Sequence, residues 1–401
     1  MNVAVYPGRL EGAVEAPPSK SHAHRLLICA ALADRGTVLE ISGLSNDIGA
    51  TVRCLRALGA GIEVTDKEIR VNPIVTPVSG ASLDCGESGS TLRFLMPLAA
   101  HLNCGAVLTG AGRLPDRPNG ALLDQLLLHG ATVDGTRLPM RLSGGLTGGE
   151  YKLPGDVSSQ FFTGLLLALP LVAEDSGIIA TSPLESGPYV DMTLDALRRF
   201  GVHAERTPNG FHVPGGQRYR SPGRATVEGD WSAAAFWLAA NAVGSRVEVK
   251  GLNPVSAQGD RAAASIFRDL READVSRVPD LMPVLAAVMA LTPGEHRITG
   301  AARLRIKESD RLYAMAGVLN ALGGDIEELP DGLLIRGGRL RGGAVDGFND
   351  HRVVMAAAIA ATACGGPVLI RGAEAADKSY PNFFRDFARL GGKIDVEHHR
   401  E

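Results

Sequence analysis

At 401 residues the chain is too long for one ordinary hydrophobic core, so two domains are expected. A formal net charge of −3, from 41 Lys and Arg against 44 Asp and Glu, argues against a general nucleic-acid binder or an anionic-membrane binder. The longest apolar runs, such as Phe161–Ala173 with its Pro170, are too short to span a bilayer, and Met1–Tyr6 lacks a basic-then-apolar leader, so a cytoplasmic protein is expected.

Five Cys form no C-x-x-C pair and read as buried free thiols; no His or Cys spacing suggests a metal site. Only seven of the cations are Lys, which singles them out, because Lys is the cation whose pKa burial tunes.

In chain order, the first informative stretch is Pro17-Pro18-Ser19-Lys20-Ser21-His22-Ala23-His24-Arg25, leading into the apolar run Leu26–Leu32. Here a turn becomes a helix, where a hydroxyl residue caps and free backbone N–H groups favour an anion. Arg25, one helical turn beyond Ser21, faces the same side. A strand at Thr37–Ile41, a helix over Asp47–Leu58 and a strand from Gly61 follow.

That unit restarts five times, and its starts at 21, 90, 159, 230, 280 and 350 are spaced by 69, 69, 71, 50 and 70 residues. Only the fourth lacks an extra stretch of about twenty residues, which elsewhere (Glu68–Pro73, Arg137–Leu146, Phe211–Pro214, Gly332–Arg336) reads as Gly- and Pro-rich hairpins. So long a period exceeds the common solenoids, and two globular domains of three βαβαβ-type units each fit it better. Ser21, Ser90, Ser159, Asp230, Asp280 and Asp350 are the expected caps, presenting six positive helix ends.

Several motifs could carry chemistry. Gly86-Glu87-Ser88-Gly89-Ser90-Thr91-Leu92-Arg93 is a glycine-spaced loop opening a helix, either a simple turn or a cradle for phosphate or carboxylate. Arg117 stands two residues after Pro115 and directly before Pro118, as a rigid clamp or a solvated loop residue. Ser158-Ser159-Gln160 and Ser186 offer neutral donors at two further helix starts. Asp280 opens an apolar helix, as a cap or as a general base. Arg305-Ile306-Lys307-Glu308-Ser309-Asp310-Arg311 packs five charges together, with Lys307, Glu308 and Arg311 spaced to share one face. Asn349-Asp350-His351-Arg352 precedes another apolar run, and Lys378 lies beyond it.

Taken in order, Pro-Ser-Lys-Ser-x-x-x-Arg, Gly-x-x-Gly-Ser-x-x-Arg, Asp-Arg-Pro, Ser-Ser-Gln-Phe, Arg-x-Lys-Glu-Ser-Asp-Arg and Asn-Asp-His-Arg closely resemble the 3-phosphoshikimate 1-carboxyvinyltransferase (EPSP synthase) family over essentially the whole chain. The resemblance implies a two-domain inside-out α/β barrel of six repeats, three per domain. Residues 19–228 would form one domain and 1–18 with 229–401 the other, with hinge crossings near 18 and 229.

It also implies transfer of the enolpyruvyl group of phosphoenolpyruvate to the 5-hydroxyl of shikimate 3-phosphate, by a monomer without cofactor or metal. Lys20, Gly89, Arg117, Gln160, Arg311, Arg352 and Lys378 would hold phosphoenolpyruvate. Lys20, Ser21, Arg25, Ser158, Ser159, Gln160, Ser186, Asp280 and Lys307 would hold shikimate 3-phosphate. Asp280 would serve the hydroxyl proton and Glu308 the methylene carbon, with Lys20 able to share either proton. Two positions depart from the family pattern: Glu87 and Arg303 stand where many members carry Asn or a similar residue. The sister transferases acting on UDP-N-acetylglucosamine are disfavoured, because Lys20-Ser21 is not their Lys-Asn pair and no Cys lies near Arg117.

Overall fold

The computed structural model describes residues Met1–Glu397. Two compact units emerge: Lys20–Val227, and Met1–Ser19 together with the chain from Glu228 on. The first holds helices α1 (Lys20–Ala31), α2 (Asn46–Ala57), α3 (Gly89–Leu102), α4 (Gly120–Leu128), α5 (Ser159–Ala168) and α6 (Gly187–Arg199). The second holds α7 (Trp231–Ala242), α8 (Ala263–Ile266), α9 (Met282–Leu291), α10 (Arg311–Ala321), α11 (His351–Ala361) and α12 (Phe383–Arg389).

One sheet pattern recurs. In the second repeat, Ser82–Asp84 runs parallel to Ala106–Thr109, with α3 as the crossover. Ala106–Thr109 then pairs antiparallel with Met140–Ser143, which is also the hairpin partner of Thr132–Asp134. The third and fifth repeats copy this order.

The first and sixth repeats complete it with strands from far away. Arg224–Thr226 takes the parallel edge beside Thr37–Glu40. Asn2–Val5 lies antiparallel between Val368–Arg371 and Ile394–Glu397. The fourth repeat stops at two parallel strands, Glu11–Glu15 and Arg246–Lys250. Its missing hairpin is the stretch absent from the short 50-residue spacing.

Burial follows composition. Helices α3, α5, α7, α9 and α11, and α1 beyond Arg25, are rich in apolar and small residues, and nearly every residue in the six is buried. The sheets and the second helix of each repeat cover them with alternating or one-sided apolar residues, as in α2, where Ile48, Val52 and Leu55 are buried. Large side chains fill each core: Phe94, Phe161 and Phe162 in one unit, and Trp237 stacked on Phe383 at 5.1 Å in the other. Each such burial contributes about 1.5–3 kcal/mol. The second helix of five repeats ends at a glycine with positive φ (Gly59, Gly130, Gly201, Gly323, Gly391), a left-handed stop that turns the chain back toward the next strand.

The six repeats and the mixed α/β class are as expected, and among the described residues the sheets stay separate, with no closed barrel. Each four-stranded sheet ends in a parallel edge strand on one side and an antiparallel strand on the other, and neither pairs with the next sheet. Only Asp230 and Asp350 of the expected caps perform that role, accepting from Ala233 N and Arg352 N. Helix α3 is capped by Ser88 and α5 by Ser158, while Ser21 lies inside α1 and Asp280 sits within the 3-10 turn Pro279–Leu281 that leads into α9.

Candidate active site

In the unit Lys20–Val227, functional groups cluster at the starts of the three buried helices. Lys20 opens α1, and its Nζ donates to Asp47 Oδ2 of α2 at 2.8 Å. One turn on, Arg25 is buried. Its guanidinium donates to Thr193 Oγ1 (2.8 Å), Ser21 O (2.6 Å), Tyr189 O (2.7 Å) and Thr163 Oγ1 (3.3 Å), and stacks over Phe94. None of these acceptors carries a charge. Burial accordingly pushes Arg25 down to about 10, the direction of a cation that lacks an anion.

At the start of α3, Gly89 lies directly beneath the Arg117 guanidinium. A Cβ there would come 2.6 Å from Nη1 and 2.8 Å from Cζ, so any larger residue would push the guanidinium off the helix start. Arg117 is buried, and Asn119 Nδ2 fastens its carbonyl at 3.1 Å. Arg117 is therefore not the solvated loop residue, one of the two readings open from sequence.

Gln160, in the first turn of α5, is held from both sides: Nε2 donates to Ser90 Oγ at 3.0 Å, and Oε1 accepts from Arg93 Nη1 at 2.8 Å. Arg93 also donates to Ser158 Oγ, Asn119 Oδ1 and the Pro118 carbonyl. Ser158 and Ser159 are buried at that same helix start, while Ser186 is buried in a left-handed residue (φ +52°) just before α6.

In the other unit the organising group is Arg311, the first residue of α10 and 1% exposed. Its Nη1 donates to Asp280 Oδ1 (2.9 Å), its Nη2 to Glu308 Oε2 (2.9 Å) and its Nε to Asp350 Oδ2 (2.8 Å). Arg352, at the start of α11, donates to Asp280 Oδ2 at 2.7 Å. Burial alone would raise Asp280, but Arg352, Arg311 and Lys307 outweigh it and hold the carboxyl well below the usual range. Asp350, fully buried, is likewise lowered: burial raises it, and Arg311 and His351 overcome that. Lys378 is buried and donates to the Asn349 carbonyl at 2.6 Å.

Structure therefore groups Asp280, Glu308, Arg311, Arg352 and Lys307 in one unit, and Lys20, Ser21, Arg25, Gly89, Arg117, Ser158, Ser159, Gln160 and Ser186 in the other. The Glu308–Arg311 contact comes about differently from the shared helix face expected: Glu308 precedes α10, which Asp310 caps, and Arg311 reaches back to it. Of the departing residues, the Glu87 carboxylate packs over the backbone of Gly112, and Arg303 is buried with Nη2 donating to the Ser276 carbonyl at 2.6 Å.

Sequence reasoning passed over the supporting partners Asp47, Arg93, Thr163, Thr193 and the ion-pairing role of Asp350. Arg93 and Asp350 stood inside quoted motifs, so a signal was present for those two. Thr163 and Thr193 become recognisable only once α1, α5 and α6 are packed together.

Buried helices whose N-terminal turns carry cations, each cluster backed by short sheets, define an α/β protein suited to small polyanions. The comparisons narrow that class. A family model described as EPSP synthase (3-phosphoshikimate 1-carboxyvinyltransferase) matches residues 5–272 and 267–387. The 3-phosphoshikimate 1-carboxyvinyltransferases of Clostridium kluyveri and Clostridium acetobutylicum are 42% and 40% identical, over 98% of this chain and 98% of each relative. An EPSP synthase structure from Acinetobacter baumannii superposes with a TM-score of 0.82 at 26% identity, covering 99% of this chain and 100% of that one. The enolpyruvyl transferase NikO from Streptomyces tendae shares the fold, with a TM-score of 0.79 at 18% identity over 98% of each chain. The chain belongs to the EPSP synthase family.

Proposed function

We propose that the protein transfers the enolpyruvyl group of phosphoenolpyruvate to the 5-hydroxyl of shikimate 3-phosphate, releasing phosphate. The observation that carries this reading is the pair of carboxylates, Asp280 and Glu308, gathered on one buried guanidinium, Arg311. Addition–elimination needs one group for the hydroxyl proton and another for the methylene carbon.

Asp280 takes the hydroxyl proton as that oxygen attacks C2, and Glu308 protonates C3, giving a tetrahedral adduct. A proton then leaves the new methyl group and the C2–O bond to phosphate breaks, restoring the enol. Lys20 shares in these proton transfers. As found, the two guanidiniums that face Asp280 lower its pKa and weaken it as a base. Phosphoenolpyruvate bound through Arg311 and Arg352 supplies competing negative charge, which lifts the Asp280 pKa at the moment the base is needed.

Arg117, Gly89, Gln160, Lys20 and Lys378 are assigned to the same substrate. Arg25, Ser21, Ser158, Ser159, Ser186 and Lys307 are assigned to shikimate 3-phosphate, with Arg25 gaining the anion its neutral partners do not provide. We take the two compact units as the domains, the crossings near 18 and 229 as the hinge, and the working form as a cytoplasmic monomer that binds small molecules only. No helix among the described residues is long and apolar enough to cross a membrane.

The deciding assay is phosphate release from phosphoenolpyruvate with shikimate 3-phosphate, with a UDP-sugar as control acceptor. Release with the UDP-sugar alone would overturn the assignment. Glu308→Gln is expected to leave both KM values near those of the parent while kcat falls by roughly 100-fold or more. Unchanged turnover would remove Glu308 from its role.

A further inference from the structure

Helices α1 and α2 are joined by two rungs one helical turn apart. Lys20 meets Asp47 at 2.8 Å, and four residues further along each helix His24 Nδ1 meets Thr51 Oγ1 at 2.7 Å. The second rung continues: Thr51 Oγ1 lies 2.7 Å from Thr91 Oγ1, and Thr91 Oγ1 donates to Ser88 Oγ at 2.8 Å. Ser88 is the cap of α3, immediately before Gly89. All four residues are buried, with His24 in edge contact with Phe94.

Each hydroxyl has a single proton, and that settles every direction in this chain. The Thr91 proton goes to Ser88, so the Thr51–Thr91 bond uses the Thr51 proton. Thr51 then has only lone pairs to offer His24, so His24 donates from Nδ1 and its Nε2 is the unprotonated nitrogen. The opposite tautomer would bury an N–H at Nε2, which has no hydrogen-bond partner, whereas a bare lone pair there costs less.

We propose that His24, Thr51 and Thr91 are positioning residues that register the starts of α1 and α3, holding Lys20 and the Gly89 turn in place for phosphoenolpyruvate. A slip of α1 along α2 would break the charged rung and the buried rung together, and it would orphan hydroxyls that no water reaches. A slip at α3 would release Ser88 and carry Gly89 off Arg117. This inference rests on the reaction proposed above.

The test uses the full-length protein in Thr51→Val, Thr91→Val and His24→Asn forms, with Thr51→Ser and Thr91→Ser as rescues. Each Val variant is expected to raise KM for phosphoenolpyruvate about tenfold, the effect of one orphaned buried group, with KM for shikimate 3-phosphate within about twofold of the parent. The Ser variants return to within about twofold, and Thr51→Val with Thr91→Val together does little more than either alone.

A lowered melting temperature with unchanged KM for phosphoenolpyruvate, or equal shifts in both KM values, would overturn the proposal, as would failure of the Ser rescues. Independently of activity, nitrogen-15 NMR, assigned with His24→Asn, is expected to show His24 protonated at Nδ1; protonation at Nε2 would refute the chain. If the parent protein releases no phosphate, the proposed reaction fails instead, and the NMR result alone judges the proton order.

Discussion

Gly89 is the residue where a single methyl group has the clearest consequence. An alanine there places Cβ within 2.9 Å of three atoms of the Arg117 guanidinium; the Arg117 backbone is held by the following Pro118 and by Asn119 on its carbonyl. Gly89→Ala is expected to raise KM for phosphoenolpyruvate at least about tenfold, with a smaller loss in kcat and a melting temperature within a few degrees of the parent. Steady-state kinetics with each substrate varied in turn checks this. Arg25 presents the converse case, a buried cation whose partners are all neutral. Arg25→Gln is expected to weaken shikimate 3-phosphate by roughly 30–100-fold, the cost of about 2–3 kcal/mol in charge-assisted hydrogen bonds, without a matching loss of stability. Isothermal titration beside thermal melts separates the two effects. At this scale much was legible. Lys20, Arg25, Arg117 and Arg311 announce themselves as cations beside turn residues at helix starts. Their partners do not, because a Thr on an apolar helix face reads as core until its neighbour is known.

At the scale of elements, the triple ion pair on Arg311 ties the first turns of α10 and α11 to the turn before α9. Asp350 contributes twice, capping α11 through Arg352 N and pairing with Arg311. Its folded-state pKa lies below its unfolded value near 3.9, so the stability it supplies is complete above that pH and is lost as pH falls below it. Asp350→Asn is expected to destabilise the protein at pH 7 by about 3–5 kcal/mol and to flatten the acid limb of the stability curve below about pH 4. Denaturant midpoints across that pH range measure both. The repeats themselves were legible because apolar helices, closing glycines and near-constant spacing recur. The caps were misplaced by one or two residues, since Ser88 and Ser90, or Ser158 and Ser159, are equivalent as letters and differ only in backbone angle. Asp310 hid inside a run of charges, and Asp280 looked like a cap because a carboxylate before an apolar helix usually is one.

Across the whole molecule, strand pairing was the least legible feature from periodicity. Nothing local marks Arg224–Thr226 as the edge of a sheet begun at Thr37, or Asn2–Val5 as a central strand between two strands near residues 368 and 394. These pairings make each unit self-contained and lead to an unequal outcome on truncation. Removing residues 1–15 deletes the centre of one sheet and half of another, all within a single unit. The expected result is loss of cooperative unfolding for that unit alone, while amide hydrogen exchange in Lys20–Val227 stays slow.

During synthesis, the Asn2–Val5 strand leaves the ribosome more than 360 residues ahead of its neighbours at Val368–Arg371 and Ile394–Glu397. At ordinary translation speeds it waits roughly 20–70 s with both edges unpaired. Its short, valine-bearing segment is then a sticky template for other chains, so yield in cells should depend on elongation rate and chaperone supply more than on equilibrium stability.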